Sequence, residues 1–275
     1  MDRRIVMLGG TALLVLALGA GAAWWSGGPA DGETTADELP VPPFPPRIAQ
    51  GDTYEHCLAL LAEDPGGALV EAERWRASGG GDGAVHCQAL AQIATGRPDT
   101  GAALLEQLAR DSTAPNLGRA SILAQAVQAR LMLNQPEQAY DDASTALTLA
   151  PDDVDLLINR AAAAGDAGQL ERAATDLTRA LALDVQRSDA LVLRARIWRR
   201  TGQLDQAERD IDRAMALNAD DPETLLERGI LRQRRGDSAG ARADWQRAQV
   251  LDPGSTAADL ALQNLALLDA GPRQP

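Results

Sequence analysis

Residues 188–221, SDALVLRARIWRRTGQLDQAERDIDRAMALNADD, and residues 222–255, PETLLERGILRQRRGDSAGARADWQRAQVLDPGS, stand in register with one another over 34 positions. Gly202 aligns with Gly236, Ala207 with Ala241 and Ala214 with Ala248. Further upstream the same places are held at the same interval by Gly168 and Asn134, by Ala173 and Ala139, and by Ala180 and Ala146. A period of this length predicts helix–turn–helix modules stacked into a solenoid, because no single module can bury its apolar side alone. In the first of the two stretches Leu191, Ala195 and Trp198 lie at i, i+4 and i+7, one face of a helix. Gly202 supplies the turn, and Leu204, Ala207, Ile211 and Ala214 form the apolar stripe of a second helix. The repeated alanines mark places where two backbones approach closely and a larger side chain overpacks the contact. Ala150-Pro151-Asp152, Asp221-Pro222 and Asp252-Pro253 read as junctions that end one helix and start the next. At the second of these, Asp221 is the cap and Pro222 the first helical residue.

On these residues the chain resembles the tetratricopeptide repeat (TPR) family. The unit from Pro222 to Ser255 carries Leu225, Gly229, Gly236, Ala241, Trp245, Ala248 and Pro253 at that family's places. It departs at Arg232, where the family has an aromatic residue; Trp198 fills that place one unit earlier. The unit from Val154 keeps Leu157, Ala161, Gly168, Ala173 and Ala180 but has Val185 where proline is usual. The unit from Ala120 has Asn134 for glycine and keeps Ala139, Ala146 and Pro151. The match covers residues 120–255. The resemblance implies an all-α fold, a right-handed α-solenoid of TPR units whose first helices line a concave groove that holds peptide segments. The carboxylate clamp of the chaperone-binding members is not matched: its Lys and Asn places hold residues such as Ile158 and Ala162.

Around the repeats, residues 51–110 read as two divergent helical pairs, residues 115–255 as four TPR units and residues 256–270 as a capping helix with a solvating outer face. In the first pair Ala68, Ala72 and Trp75 take the packing positions. In the second, Gly96 marks the turn, and Leu104, Leu105 and Leu108 belong to the second helix. The run Gly79-Gly80-Gly81-Asp82-Gly83 is expected to separate the pairs. Gly96 and Asn134 are 38 residues apart, so four extra residues are expected near Ser112 to Gly118.

The N-terminus has a different character. Residues 1–4 form a short tail with Arg3 and Arg4, and Ile5 to Trp25 is an uncharged run. As a helix that run spans about 31 Å, the thickness of a bilayer's hydrocarbon core, with Trp24 and Trp25 at its far interface. Arginines before it and Asp31, Glu33, Asp37 and Glu38 after it predict a cytoplasmic N-terminus and an uncleaved signal anchor over residues 5–25. Cleavage at Ala20-Gly21-Ala22, leaving a soluble periplasmic protein, is the alternative. Residues 26–50, with Val41-Pro42-Pro43-Phe44-Pro45-Pro46, read as a proline-rich tether. Topology and an Ala-rich, Arg-only composition point to a single-pass protein of a bacterial-type inner membrane, its solenoid in the periplasm.

Composition bounds the chemistry. The 275 residues include 45% hydrophobic but only 3% aromatic residues, so the core is built from Ala and Leu. The formal charge is −13 and every basic residue is Arg. Lysine chemistry is therefore excluded, and general nucleic-acid binding lacks its basic surface. No phosphate loop, nucleophile elbow, dinucleotide fingerprint or metalloprotease motif is present, so neither an enzyme nor a cofactor is expected. Cys57 and Cys87, each preceded by a histidine, fall on the first helices of neighbouring pairs. Outside the cytoplasm two cysteines form a disulfide by default. Free buried thiols, and a redox or zinc site from His56, Cys57, His86 and Cys87, are the alternatives.

For partners, Arg196, Arg199 and Arg200 share the face of one first helix expected to be exposed, with Gln233 and Arg234 in the corresponding places one unit on. Residues 188–247 hold 12 Arg against 11 acids, a local basic stretch on an acidic chain, which favours acidic protein or peptide segments. The bland alternative pairs these arginines with neighbouring acids on a solvated surface. Arg160, Arg194 and Arg228 recur every 34 residues and so belong to the architecture. The expected function is that of a membrane-tethered scaffold in cell-envelope assembly, with a self-assembling homo-oligomer as a further possibility.

Overall fold

The computed structural model describes residues 48–271, which form thirteen helices. They run as pairs: α1 (Asp52–Glu63) with α2 (Pro65–Ala77), α3 (Gly81–Ala94) with α4 (Pro98–Asp111), α5 (Asn116–Met132) with α6 (Pro136–Leu149), α7 (Val154–Asp166) with α8 (Leu170–Leu183), α9 (Ser188–Arg200) with α10 (Leu204–Leu217), and α11 (Pro222–Arg234) with α12 (Ser238–Leu251), followed by α13 (Thr256–Ala270). Each helix packs on the next, and first helices of neighbouring pairs also touch, as in α5 with α7, α7 with α9 and α9 with α11. Second helices show no comparable contact with one another, so the stack curves with the first helices on its inner side. The segments expected as tail and signal anchor (1–4 and 5–25), and most of the tether, lie outside the described residues. Within the described residues no helix is long and apolar enough to cross a membrane. Ile48, from the tether's expected end, packs against an apolar cluster whose members come from α3 through α8.

The 34-residue register has a direct physical origin. Gly236 has φ +87° and lets the amide of Asp237 return to the carbonyl of Arg232 at 2.9 Å, closing α11. Asn134 does the same at φ +54°, with Gln135 N–H on the Arg130 carbonyl at 2.9 Å. Asparagine tolerates this left-handed conformation better than other side chains do, which explains why it can stand for glycine. Ala161, Ala173, Ala180, Ala195, Ala207 and Ala214 are all fully buried. In the last full unit the close approach is tighter still. A Cβ on Gly229 would lie within van der Waals overlap of the buried Trp245 indole, whose Nε1–H donates to the Leu226 carbonyl at 3.2 Å.

A charged rung joins the two helices of three consecutive units. Arg160 donates to both oxygens of Asp176 at 2.8 and 2.7 Å, Arg194 to Asp210 at 2.8 and 2.8 Å, and Arg228 to Asp244 at 2.9 and 2.6 Å. All three carboxylates are buried. In the preceding unit the acid is kept as Asp142, but the arginine's place holds Ala126. Arg130, one turn on, donates to Glu106 and Gln135, and its Nε stays 4.0 Å from Asp142. One Asp142 oxygen is left buried without a hydrogen bond. Burial, aided by the nearby Glu106 carboxylate, pushes the Asp142 carboxyl up to about 7.

Several expectations are corrected in detail. Gly81, Asp82 and Gly83 lie inside α3 rather than in a separating loop. The four extra residues do fall in this region, where they lengthen α5 to 17 residues, against 13 in α7, α9 and α11. Asp221 caps α11 as expected, accepting from Thr224 N–H at 2.8 Å; Asp153 caps α7 and Ser255 caps α13 in the same way. The exposed side of α13 is mixed: Leu260, Leu262 and Leu267 reach solvent alongside Asp259, Gln263 and Asp269.

At the other end, Cys57 on α1 and Cys87 on α3 form a disulfide with a Cα–Cα distance of 6.3 Å. Beside it, buried His86 bonds to the Tyr54 hydroxyl through Nδ1 and to Gln125 Oε1 through Nε2, both at 2.6 Å. Burial lowers the His86 imidazole to about 4.

Three outcomes follow from this packing. Gly229→Ala is expected to cost about 1–3 kcal/mol through overpacking against Trp245, read as a lower midpoint in thermal unfolding. Reduction of the disulfide, or Cys57→Ser, removes the constraint on a loop of about 30 residues, worth about 3–4 kcal/mol in the chain-entropy model; reductant should lower the wild-type midpoint and leave that of Cys57→Ser unchanged. The third concerns pH. Folding favours protonated Asp142, so its contribution is held below the unfolded value of 3.8 and lost as pH rises through about 7. Folding favours neutral His86, so its contribution is held above 6.5 and lost as pH falls toward 4. The two oppose each other between pH 4 and 6.5, and above 6.5 only Asp142 remains. Stability is therefore expected to fall from about pH 6.5 to about 8, and Asp142→Asn should flatten that fall in denaturant titrations.

Candidate protein-binding groove

The inner face carries one residue from each first helix at matching register. Ile158, Val192 and Leu226 share one row, Asn159, Leu193 and Glu227 the next, and Ala162, Arg196 and Ile230 a third. Ile158, Leu193 and Ile230, one on each of α7, α9 and α11, are only partly covered. Polar members of the second row tie neighbouring first helices together. Gln125, one unit before Asn159, meets His86, and Gln128 donates to Asn159 Oδ1 at 2.8 Å. Glu227 takes the same role at the far end and is 1% exposed.

The five residues expected to line the groove divide into distinct roles. Arg199 is the counter-ion of Glu227, with its Nε and Nη2 on the two carboxylate oxygens, and its side chain is only 14% exposed. The expectation that it shares an exposed face is corrected: a buried glutamate on the next first helix draws it inward. Arg196 lies more openly, with Nε 3.8 Å from Glu227 and Nη2 3.9 Å from Glu223. Arg200 is exposed, and its Nη1 donates to the Gly165 carbonyl of α7 at 2.7 Å, bridging two units. Gln233 is half-buried. Arg234 is exposed and has no ion-pair partner among the described residues. Only Arg200, Arg234 and in part Arg196 therefore present unused donors to a ligand. Glu223 and Glu227 were not singled out from sequence. Their signal is the 28-residue offset from Arg199 to Glu227, which spans two units and looks like any other surface charge pair.

The four residues of the redox or zinc alternative do not converge. Cys57 and Cys87 are bonded to each other, both His86 nitrogens are engaged, and His56 faces solvent beside Glu71 at 3.5 Å. Among the described residues no group of three or more His, Cys, Asp or Glu side chains is placed to hold a metal ion.

No protein-family model and no curated protein matches the chain. Among solved structures it is similar to PilW, a widely conserved type IV pilus biogenesis factor, at 19% identity over 76% of this chain and 96% of that one, with a TM-score of 0.61. It is similar to a thermophilic TPR protein of Thermus thermophilus at 20% identity over 68% of this chain and 98% of that one, with a TM-score of 0.55. It also resembles a chain of the APC/C hetero-tetramer Cut9–Hcn1 at 14% identity and a TM-score of 0.60; that match covers 77% of this chain but only 42% of that one. These likenesses establish a TPR-like helical repeat fold.

Proposed function

We propose that the chain is a non-enzymatic scaffold that holds an acidic segment of a partner protein in the groove of α7, α9 and α11. The observation that carries the reading is the exposed Arg234, which has no ion-pair partner among the described residues and stands at the place Arg200 holds one unit earlier, together with the partly covered Ile158, Leu193 and Ile230 on α7, α9 and α11. Such a surface offers a segment both apolar burial and charge complementarity, the second governing mainly specificity and encounter rate. The uncharged run from Ile5 to Trp25 and the charges flanking it support a tether in a bacterial inner membrane with the solenoid in the periplasm, where a disulfide persists. Cell-envelope assembly is the process such a placement serves.

The test is recovery of partners from membranes by the full chain and by the Arg200→Glu/Arg234→Glu variant. Arg199 is left intact because removing it strands the buried Glu227. Reversal at the two open positions is expected to weaken binding about tenfold or more, roughly 1.4 kcal/mol, with helicity unchanged. An identical set of partners at identical affinity would remove the groove from the account.

A further inference from the structure

The solenoid holds one tyrosine ring between two arginines, at a place where the next unit has alanine. Tyr140 on α6 lies between two guanidinium groups of the following unit, with Arg160 5.7 Å and Arg172 5.6 Å from the ring centre. Both distances fall within cation–π range. Thirty-four residues on, Tyr140 becomes Ala174, Arg160 becomes Arg194 and Arg172 becomes Gln206. Trp198 stands at the place of Ala164 and takes up part of the room. A cleft of about 180 Å³ remains, lined by Arg194, Trp198, Gln206, Arg209 and Asp210. A cavity of about 150 Å³ is enough to accept a benzene ring, so the space is the right size for one aromatic side chain.

The charges of this cleft are also specific. Arg194 and Asp210 neutralise each other as a rung, at 2.8 Å through both oxygens. Arg209 is exposed and has no ion-pair partner among the described residues. Gln206 and Arg209 also line an adjoining depression of about 480 Å³ that runs to Asp205 and Arg235, so a chain can lie across Arg209 while a side chain enters beside Trp198. Arg235 is already committed to Asp205 and Glu208, which leaves Arg209 as the cation on offer.

We propose that this cleft between α9 and α10 is a second recognition site, which takes an aromatic residue of a partner segment together with an acidic neighbour. The ring stacks beside Trp198 where the preceding unit places its own Tyr140, and the carboxylate meets Arg209. The inference rests on the reading of the chain as a protein-binding scaffold, but it uses none of the groove residues.

The experiment titrates the full-length protein with acetyl-Asp-Tyr-Asp-amide and follows the Trp198 indole N–H resonance, assigned with Trp198→Phe. A saturable shift is expected. It should weaken at least tenfold for acetyl-Asp-Ala-Asp-amide and for acetyl-Gly-Tyr-Gly-amide. Arg209→Glu, at an exposed position, should weaken it tenfold or more with the fold unchanged. Ala174→Tyr restores the internal ring of the preceding unit and should abolish the shift. Arg200→Glu/Arg234→Glu should leave the titration unaltered, so the groove and the cleft can fail separately. Absence of a Trp198 shift, equal binding of the alanine peptide, or native binding by Arg209→Glu would each overturn the proposal.

Discussion

A carboxylate buried between two helices costs several kcal/mol unless a cation meets it at a fixed place. Asp176, Asp210 and Asp244 each find one, 16 residues back along the chain, through two hydrogen bonds to a single guanidinium. Breaking such a pair leaves an uncompensated charge, so the geometry of each helix pair is held within narrow limits even where net stabilisation is small. The alanines around the rung make that geometry possible. Ala161 and Ala195 let the helices approach until a planar guanidinium spans the gap, and apolar packing then supplies the driving force that the rung does not. The unit from Ala120 is informative because it keeps the acid and loses the base. Ala126 cannot answer Asp142, Arg130 is drawn to Glu106, and burial pushes the Asp142 carboxyl up to about 7.

The period of 34 residues made the helices, turns and most buried positions legible, because those features repeat and chance does not. Recurrence also marks Arg160, Arg194 and Arg228 as part of the architecture. Features that occur once were not legible. Nothing in the spacing of Gly79 to Gly83 says that α3 begins within it, since the Trp75 side chain, packed close to Gly80 and Gly83, decides that. The four extra residues before Asn134 could equally have made a loop; a continuous α5 satisfies its own backbone hydrogen bonds and so takes them up as one more turn. The inner-face pairing of Arg199 with Glu227 is of the same kind: Leu193 and Asn159 hold Glu227's place in the preceding units, so no pattern announces it.

Charge counting along the chain therefore overstated the basic character of the groove. The stretch from 188 to 247 carries one arginine more than its acids. Yet the rungs absorb Arg194 and Arg228, Glu227 absorbs Arg199, and Asp205 with Glu208 absorbs Arg235. What reaches solvent with donors to spare is a short set, Arg200, Arg209, Arg234 and in part Arg196, in a chain whose total charge is −13. Isolated cations on an acidic surface act locally. Their field extends about one Debye length, roughly 8 Å at physiological salt, and they select partners by contact rather than by long-range attraction.

Units that repeat for structural reasons show their individuality where one departs from the others. Tyr140 with Ala164, and Ala174 with Trp198, exchange a large and a small residue across the same interface. The exchange conserves the packing only in part: tyrosine fills the space between two arginines, whereas the indole leaves a cleft beside a neutral rung and an unpaired Arg209. Selection for stability alone has an available solution one unit away, in a ring that fills the gap and meets both cations. A unit that forgoes it keeps room for a ring from elsewhere, and the rung beneath, already neutral, lets that ring enter without leaving a charge unpaired.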